Sequence, residues 1–440
     1  MNVLTSKKNT TARITLGIKA DKRKYKLDNA ANGFSLLYNK RVTNVFRILC
    51  TLKEEVELEK LHTALSTILP RFPYYRVSVR RGLIWGKWVT NLEIPEIQPE
   101  SQYPCQYISL GRKKLLYRII VNKNKIALEC HHSLTDGHGG LIFLNSLVAE
   151  YFRIKGIITK DWDGIFLPED KPDPLEYESA YERHYKKKII IRPTKFKKRS
   201  FNIPNKIEPP GVLHLSKVIV SLENIKQKSK EFNVSITSLL TAIYFESLKD
   251  LQEKLCKNKT RKIKPIRIRI PVNLRQIFES KTMRNFSLGV RLDLDSRMDT
   301  KPFRERVVEI SNLLKNQIQP DTFYHKIALN IGNTRLWIMQ ITPYQVKRFF
   351  ARRGYYFISA PYYSGVITNL GKVTIPDQLV KHIDSYEIVI GPSTMHKERI
   401  GVMSFEDKLV ITFSRVIKES ILAEMFIRKL DELGIKTNKL

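Results

Sequence analysis

Apolar residues follow two different spacings in the N-terminal part of the chain. Residues 45–52 (VFRILCTL) have the strand-like composition of a buried sheet segment, whereas 56–69 repeat apolar positions every three or four residues, as one face of a helix does. Pro70 ends that helix. Residues 77–80 then alternate between apolar and polar, which predicts a second strand.

A hairpin and a helix are predicted next. The apolar runs 115–121 and 126–131 flank the polar stretch NKNK, which is typical of two antiparallel strands joined by a turn. Residues 141–154 (LIFLNSLVAEYFRI) predict a helix closed by Gly156. The stretch 157–210 is rich in proline and charge, so we expect a crossover linker with little regular structure.

The C-terminal part repeats this mixture of elements. Ser235 or Thr237 is placed to cap a helix that runs to about Leu255, and 265–272 (PIRIRIPV) alternate as a strand does. Later signals are a strand at 364–371, two strands around the turn at 406–408, and a last helix from about Glu419 to Leu433, capped by Gly434.

This order predicts an α+β protein made of two halves. The boundaries we expect are an N-terminal half at 1–165, a linker at 166–210 and a C-terminal half at 211–440. Hydrophobic residues make up 42% of the chain, enough for a sizeable core. No short-period repeat is present.

Composition favours a cytoplasmic protein. No apolar run reaches the ~18 residues of a membrane span, and the N-terminus lacks the apolar core of a secretory signal. The cysteines are widely spaced, which is typical of reduced thiols rather than of a disulfide framework. They are Cys50, Cys105, Cys130 and Cys256.

The net charge of +34 has two interpretations. It can reflect solvated basic loops, such as the concentrated run at 186–199, with no ligand involved. It can also attract an anionic partner: a phosphate-bearing co-substrate, an acidic carrier protein, or a membrane surface at which the protein is peripheral. Specific nucleic-acid binding is disfavoured, because no recognised nucleic-acid motif accompanies the charge.

The stretch 129–140, ECHHSLTDGHGG, holds the best candidate chemistry. Its histidines lie at the end of a predicted strand, where the chain leaves the sheet, and such loops carry most catalytic residues. Imidazole is the usual general base near neutral pH. Histidine in such a position is nevertheless often a satisfied core residue, and the spacing H-x-x-x-D-G alone is only moderately specific.

Other kinds of site fit this stretch less well. A metal cluster of His131, His132, Asp136 and His138 is disfavoured, because adjacent residues of a strand point to opposite faces. We therefore expect no metal. A serine nucleophile would need G-x-S-x-G, which is absent, and the glycines complete neither a P-loop nor a dinucleotide fingerprint.

HHSLTDG resembles the HHxxxDG signature of the chloramphenicol acetyltransferase-like acyltransferase superfamily, which includes condensation domains and alcohol O-acetyltransferases. The stretches LPRFPYYRVSVRRGLIWGKW (69–88), IRIPVNLR (268–275) with RNFSLG (284–289), and SGVITNLGKVTIP (364–376) resemble its alcohol acetyltransferase branch. The resemblance covers about residues 30 to 435. The DFGWG motif of the plant branch is absent, so acceptor identity does not transfer from plant enzymes.

The resemblance implies a fold and residue roles. It implies two chloramphenicol-acetyltransferase-like α/β sandwich halves, a pseudo-dimer with a channel between them, and His132 as the general base. Asp136 is implied to be structural and to pair with an arginine, for which Arg275 is our candidate. We expect Gly137 to allow a tight turn, His131 to serve packing, and His138 to be exposed or to start the helix.

The chemistry implied is direct acyl transfer from a thioester. A thioester is already activated, so the protein needs only to hold both reactants, remove a proton and stabilise an oxyanion. Asn369, Ser364 and Thr368 are weak candidates for the oxyanion donor and are equally typical of strand ends or turns. We expect no permanently bound cofactor, since acyl-CoA or an acyl-carrier thioester enters as co-substrate.

The sequence therefore predicts a monomeric acyl-CoA-dependent O-acyltransferase that transfers an acyl group to a hydroxyl. The resemblance implies that this group is acetyl. One alternative is a condensation-like amide- or ester-forming enzyme fed by an acidic carrier protein. Another is a non-catalytic binding module of the same fold, which the intact HHxxxDG disfavours.

Overall fold

The structure is a computed structural model. It describes residues 25–157, 159, 162, 164–187, 198–256, 263–294, 301–394 and 396–439. The strands of this part of the chain are β1 Tyr25–Lys26, β2 Val45–Leu52, β3 Val77–Arg80, β4 Lys87–Thr90, β5 Ile97–Pro99, β6 Tyr117–Asn122, β7 Lys125–His131, β8 His214–Ser221, β9 Ile266–Asn273, β10 Ser287–Leu294, β11 Gly365–Lys372, β12 Ile383–Ile390, β13 Glu398–Phe405, β14 Lys408–Arg415 and β15 Thr437–Lys439. The helices are α1 Asn29–Leu37, α2 Leu58–Ile68, α3 Gly137–Ile154, α4 Ala180–Arg183, α5 Leu222–Glu231, α6 Ile236–Cys256, α7 Phe303–Gln317, α8 Pro320–Arg335, α9 Trp337–Ile341, α10 Tyr344–Gly354, α11 Asp377–Val380 and α12 Ile421–Glu432.

Two large sheets organise these elements. The N-terminal sheet has the strand order β12-β2-β7-β6-β5, and the C-terminal sheet has the order β10-β9-β11-β13-β14-β8-β15. A small sheet, β1-β4-β3, lies beside the first. Helices α2 and α3 contribute to one apolar core with the N-terminal sheet, and α6, α7 and α12 contribute to another with the C-terminal sheet. The α+β class and the two-half architecture predicted from the sequence are confirmed.

One strand crosses between the halves. β12 belongs to the C-terminal part of the sequence, yet it pairs antiparallel with β2, with Ile388 opposite Ile48. It also packs on the C-terminal sheet, because a Cβ added at Gly401 would lie 2.4 Å from the carbonyl oxygen of Ile388. The crossing ties the two sheets together, and the boundaries expected from the sequence do not anticipate it.

The linker expected at 166–210 is described only in part, because residues 188–197 of its basic run lie outside the described residues, so its boundaries stay a prediction. The neighbouring described segment contains one short 3-10 helix, Pro174–Tyr177, and α4. Among the helices of the described ranges, none is long and apolar enough to cross a membrane.

Candidate active site

The histidine motif occupies the turn between β7 and α3. His131 is the last residue of β7, and Asp136 is the N-cap of α3, where its Oδ1 accepts a hydrogen bond from the Gly139 amide at 3.2 Å. Thr135 Oγ1 donates to the carbonyl oxygen of Met283 at 2.7 Å. The loop is therefore fixed at one end by a helix cap and at its middle by the C-terminal half.

Asp136 joins the two halves through Arg275. Arg275 Nη1 donates to Asp136 Oδ2 at 2.8 Å, and the Phe286 amide donates to the same oxygen at 2.7 Å. Both charged side chains are buried. Burial alone would raise the pKa of Asp136, but the Arg275 guanidinium holds that pKa below its ordinary value. The structure thus brings together the two residues that the sequence pairs.

Two glycines allow the start of α3 to lie close to its neighbours. A Cβ at Gly137 would come 2.7 Å from Leu370 Cδ2, and one at Gly139 would come 2.7 Å from the Met283 carbonyl oxygen. Gly137 does not have a left-handed backbone conformation. Close packing against the Met283 backbone is the physical reason for glycine at position 139, and the tight turn expected at Gly137 stays a prediction.

The His132 ring is held in one tautomer by Asn285. The Asn285 amide nitrogen donates to the His132 carbonyl oxygen at 2.7 Å, which fixes the orientation of that amide. Its Oδ1 then lies 2.9 Å from His132 Nδ1 and accepts the proton that Nδ1 must carry. The lone pair of the neutral ring is therefore on Nε2, which has no hydrogen-bonding partner among the described residues.

Aromatic rings enclose the half-buried His132 side chain. Phe34 stacks on it with ring centroids 4.4 Å apart, and Phe46 lies at 5.0 Å. Burial lowers the pKa of His132, and the nearby charge of Arg269 lowers it further, while the Asn285 hydrogen bond opposes the shift. The ring is thus neutral, and able to accept a proton, at and below ordinary neutral pH.

Asp136 does not act on the imidazole through a hydrogen bond. Its oxygens accept from Arg275, from the Phe286 amide and from the Gly139 amide. A hydrolase-like triad, in which the carboxylate would bond the histidine directly, therefore does not describe this loop.

The neighbouring histidines have structural surroundings. His131 is fully buried, accepts a hydrogen bond from the Ser133 amide at 3.1 Å, and meets the Tyr38 ring edge-on. Burial lowers the pKa of His131 to about 3, so it stays neutral. His138 is half-buried in the first turn of α3, at the helix start.

The three oxyanion candidates separate in the structure. Asn369 Nδ2 donates to Thr237 Oγ1 at 3.1 Å, and Ser364 Oγ accepts from the Arg267 amide at 3.1 Å. Each already has a hydrogen-bonding partner, but the Asn369 amide nitrogen and the Ser364 hydroxyl can each donate a further hydrogen bond, so both stay candidates. Thr368 is half-buried on β11 and lies across from Gly401. All three residues therefore stay candidates for the oxyanion donor.

No competing nucleophile is activated beside His132. Cys130 is fully buried in the N-terminal apolar core, and burial raises the pKa of its thiol well above the ordinary value. Ser133 Oγ donates to the Ala31 carbonyl oxygen at 3.2 Å. Neither side chain is poised to form a covalent intermediate.

No protein-family model and no curated protein matches the sequence. Solved structures do match over nearly the whole chain. The trichothecene 15-O-acetyltransferase of Fusarium sporotrichioides is 12% identical, covers 93% of this chain and 94% of its own, and has a TM-score of 0.58. The epimerization domain of tyrocidine synthetase B is 12% identical, with coverages of 94% and 96% and a TM-score of 0.59.

The chain shares the fold of these solved structures, an acetyltransferase and an epimerization domain. A third structure agrees: polyketide synthase associated protein 5 from Mycobacterium tuberculosis is 14% identical, covers 92% of this chain and 96% of its own, and has a TM-score of 0.56. The resemblance drawn from HHSLTDG and the later stretches is confirmed at the level of the superfamily fold.

Asn285 is the site residue that sequence reasoning missed. It lies in RNFSLG, a stretch that supports the resemblance, but its partner His132 is 153 residues away. Its place in RNFSLG was the available signal. That signal did not indicate which residue the amide would contact.

Replacing Asn285 with alanine is expected to lower kcat by about 10–150-fold. A hydrogen bond to a group that becomes charged is worth about 1.5–3 kcal/mol, and the imidazolium formed during catalysis would lose it. Because that bond raises the pKa of His132, its loss should also move the acid limb of the kcat/KM profile to lower pH. Steady-state kinetics across pH measure both effects.

Asn91→Ala provides the matched control. Asn91 is also buried and donates to Ser78 Oγ at 3.0 Å, far from His132 in the sequence. Its loss should lower thermal stability without moving the pH profile. An Asn285→Ala protein with an unchanged kcat and an unchanged profile would remove Asn285 from the site.

Proposed function

We propose that the protein is an acyl-CoA-dependent O-acyltransferase in which His132 is the general base. The observation that carries this proposal is the Nε2 atom of His132. Its lone pair is set by the Asn285 contact and has no partner among the described residues. A neutral imidazole in that state can accept a proton from an acceptor hydroxyl.

The proposed reaction is direct. Nε2 takes the hydroxyl proton as the acceptor oxygen attacks the thioester carbon, so that an O–C bond forms while the thioester carbonyl becomes an oxyanion. The carbonyl then re-forms and the C–S bond breaks. The proton passes from the imidazolium to the departing sulfur, which leaves as a free thiol and returns His132 to its neutral state.

Two kinds of group would stabilise the imidazolium and the oxyanion formed during this reaction. Asn285 Oδ1 accepts the Nδ1 proton and would favour the imidazolium. Thr368, Asn369 and Ser364 are the candidates for an oxyanion donor. Asp136 and Arg275 would serve as positioning residues, because they hold the loop rather than the reacting atoms.

A condensation-like reaction with a carrier-protein thioester is the second candidate. Its support is that a condensation domain, that of the Monacolin K polyketide synthase, shares the fold at 11% identity and a TM-score of 0.55. Another neighbour was solved in complex with coenzyme A and T-2. Both donors present a thioester, so the same histidine would serve either one.

A substrate panel tests the proposal. Acyl-CoAs and carrier-linked acyl groups are offered with alcohols and amines, and thiol release is followed. We expect release from acyl-CoA that depends on an added hydroxyl acceptor. Turnover of carrier-linked donors alone would favour the condensation-like reaction, and release from neither donor would favour a binding module.

Mass spectrometry tests whether transfer is direct. After incubation with acyl-CoA alone, the intact protein should carry no acyl adduct, because Cys130 is buried as a neutral thiol. A stoichiometric adduct that disappears in Cys130→Ala would contradict direct transfer.

A further inference from the structure

Three arginines lie in one row across four neighbouring strands of the C-terminal sheet. Arg291 on β10 is directly opposite Arg269 on β9, Arg269 is next to Val366 on β11, and Val366 is next to Arg399 on β13. We call Arg291, Arg269 and Arg399 the arginine row. Alternation puts all three on one face of the sheet.

That face is turned toward the N-terminal half. The residues before and after Arg269, Ile268 and Ile270, belong to the C-terminal core on the other face. On β13, Met403 shares the face of Arg399 and packs in the N-terminal core. Arg269 is near enough to His132 for its charge to lower the pKa of the imidazole. The row therefore lies between the halves, beside the proposed base.

Arg267 has a carboxylate partner, which Arg269 and Arg399 lack among the described residues. Arg267 is two residues before Arg269 on the same strand face, forms an ion pair with Asp293, and donates to Ser200 Oγ at 3.0 Å. Arg399 Nη1 donates to the Gly391 carbonyl oxygen at 3.0 Å, while its buried Nε has no hydrogen-bonding partner. Arg291 reaches Asp293 only at 3.8 Å.

Lys326 adds a fourth positive group. It is half-buried on α8, and its Nζ donates to the Gly289 carbonyl oxygen at 2.9 Å. Burial, together with the charges of Arg269 and Arg291, lowers the pKa of Lys326 to about 8. Burial is the larger cause, and the two arginines add a repulsion. The nearby carboxylate of Asp293 is shared with Arg267.

Such an arrangement destabilises the protein unless it binds an anion. Like charges directly opposite each other on neighbouring strands repel, as Arg291 and Arg269 do here. Guanidinium groups bind phosphate and carboxylate through two parallel hydrogen bonds, and partial burial strengthens that attraction.

We propose that the arginine row and Lys326 form an anion-binding subsite beside His132, which holds a phosphate or carboxylate group of one of the two substrates. The identity of the ligand rests on the proposed acyl transfer. The affinity of the subsite for anions does not. Coenzyme A phosphates and an acidic acceptor are the two possible sources of the anion.

Calorimetry with inorganic pyrophosphate tests the subsite without turnover. The wild type should bind pyrophosphate, and Arg269→Gln and Arg399→Gln should bind at least tenfold more weakly. Arg428→Gln removes the same charge from the exposed face of α12 and should bind as the wild type does. His132→Ala should also keep its affinity, which separates the subsite from the catalytic proposal.

Thermal unfolding separates binding from structure. Ligand-free Arg269→Gln should melt at the wild-type temperature or above it, because repulsion with Arg291 is relieved. Pyrophosphate should raise the melting temperature of the wild type but not that of Arg269→Gln or Arg399→Gln. The proposal is overturned by equal pyrophosphate affinities in all variants, by a wild type that binds none, or by a large ligand-free loss of stability with affinity retained.

Kinetics identify the source of the anion. A KM for acyl-CoA that rises at least tenfold in Arg269→Gln, measured with a neutral acceptor, would assign the subsite to the donor phosphates. A selective rise in KM for a carboxylated acceptor would assign it to the acceptor. Unchanged KM values for both substrates would contradict a substrate-binding role.

A second surface, independent of the site, combines exposed apolar and basic side chains. Residues 336–357 span α9, α10 and the turn that follows, contain no Asp or Glu, and are called the aromatic–basic face. α9 buries none of its residues. The exposed apolar side chains of the face are Leu336, Trp337, Ile338, Ile341, Val346, Phe349, Phe350 and Phe357.

Basic side chains surround these apolar groups. A groove of about 690 Å³ is lined by Phe349, Phe357 and Tyr356 together with Arg348, Arg352 and Arg353. Exposed apolar patches rimmed by polar groups mark interaction sites, and tryptophan with basic neighbours is typical of the membrane–water interface. From this we infer that the aromatic–basic face docks onto an anionic phospholipid surface, which also gives the net charge of +34 a role.

Vesicle sedimentation tests this docking. The wild type should sediment with phosphatidylcholine–phosphatidylglycerol vesicles, less with phosphatidylcholine alone, and less at high salt. The double variant Trp337→Ser/Phe350→Ser should partition at least tenfold more weakly, while Leu58→Ser, which removes an exposed apolar side chain from α2, should not. Equal partitioning of the variants would overturn the inference. So would self-association that the same double variant abolishes, because the face would then bind a second copy.

Discussion

Alanine at position 132 is expected to reduce acyl transfer by about 10²–10⁴-fold while leaving the fold intact. A positioned general base contributes that much to the rate, and His132 Nε2 is the atom with a free lone pair in the proposed site. The side chain is half-buried, so its removal should cost less stability than that of a core residue. Thiol release and thermal unfolding measure the two effects.

His131→Ala is the matched control. This histidine is fully buried, accepts from the Ser133 amide and packs against Tyr38, so its loss should lower stability more and activity less. Near-normal thiol release by His132→Ala with a good substrate would show that another group removes the proton.

The pH dependence follows from the same residue. Burial holds the pKa of His132 below its ordinary value of 6.5, so the neutral, basic form persists as the pH falls through 6.5. The acid limb of kcat/KM should therefore lie below pH 6.5. The position of this wild-type acid limb is the reference for the shift expected in Asn285→Ala.

Sequence periodicity found some of the elements that bury one face, but not α7 or α8, which also do so. β2, β7 and β9, together with α3 and α6, agree closely with the predicted segments. It missed β12, whose buried positions lie on both faces because β12 pairs with β2 and packs on β13. It also missed α9, which buries no residue and so has no apolar face to detect. Pattern reading fails where burial depends on a distant partner or is absent.

The candidate site shows the same division. His132, Asp136 and Arg275 were named from two motifs, and the structure brings Asp136 and Arg275 together. Asn369 donates to Thr237 at the start of α6, a contact that residue type alone does not reveal. Asn285 was missed because its contact with His132 joins the two halves. Contacts between the two halves depend on how the halves pack against each other. The local pattern of apolar and polar residues does not reveal that packing.

Breaking the Asp136–Arg275 pair should lower stability and activity together. Removing one partner of a buried ion pair leaves an uncompensated charge and costs roughly 3–5 kcal/mol. Arg275 also donates to the Thr282 and Arg284 carbonyl oxygens, so Arg275→Ala should disturb the loop that supports Asn285. Chemical denaturation of Asp136→Asn and Arg275→Ala gives the loss for each.

An exposed pair provides the control for charge removal. Lys408 and Asp384 form an ion pair whose side chains are 34% and 40% exposed. Asp384→Asn should therefore cost only about 0–1 kcal/mol and leave activity unchanged. A loss as large as that of Asp136→Asn would mean that burial does not distinguish the two pairs.

The double variant decides whether Asp136 and Arg275 act as one unit. With both partners gone, neither leaves a lone buried charge, so Asp136→Asn/Arg275→Ala should lose less stability than the sum of the single variants. Activity should follow the same pattern, because both residues act by holding the turn that presents His132. The opposing result is specific: Asp136→Asn would keep wild-type thermal stability yet lose activity as completely as His132→Ala. That pattern belongs to a carboxylate acting in the chemistry, and it would contradict the hydrogen bonds that place Asp136 on Arg275 and the Phe286 amide.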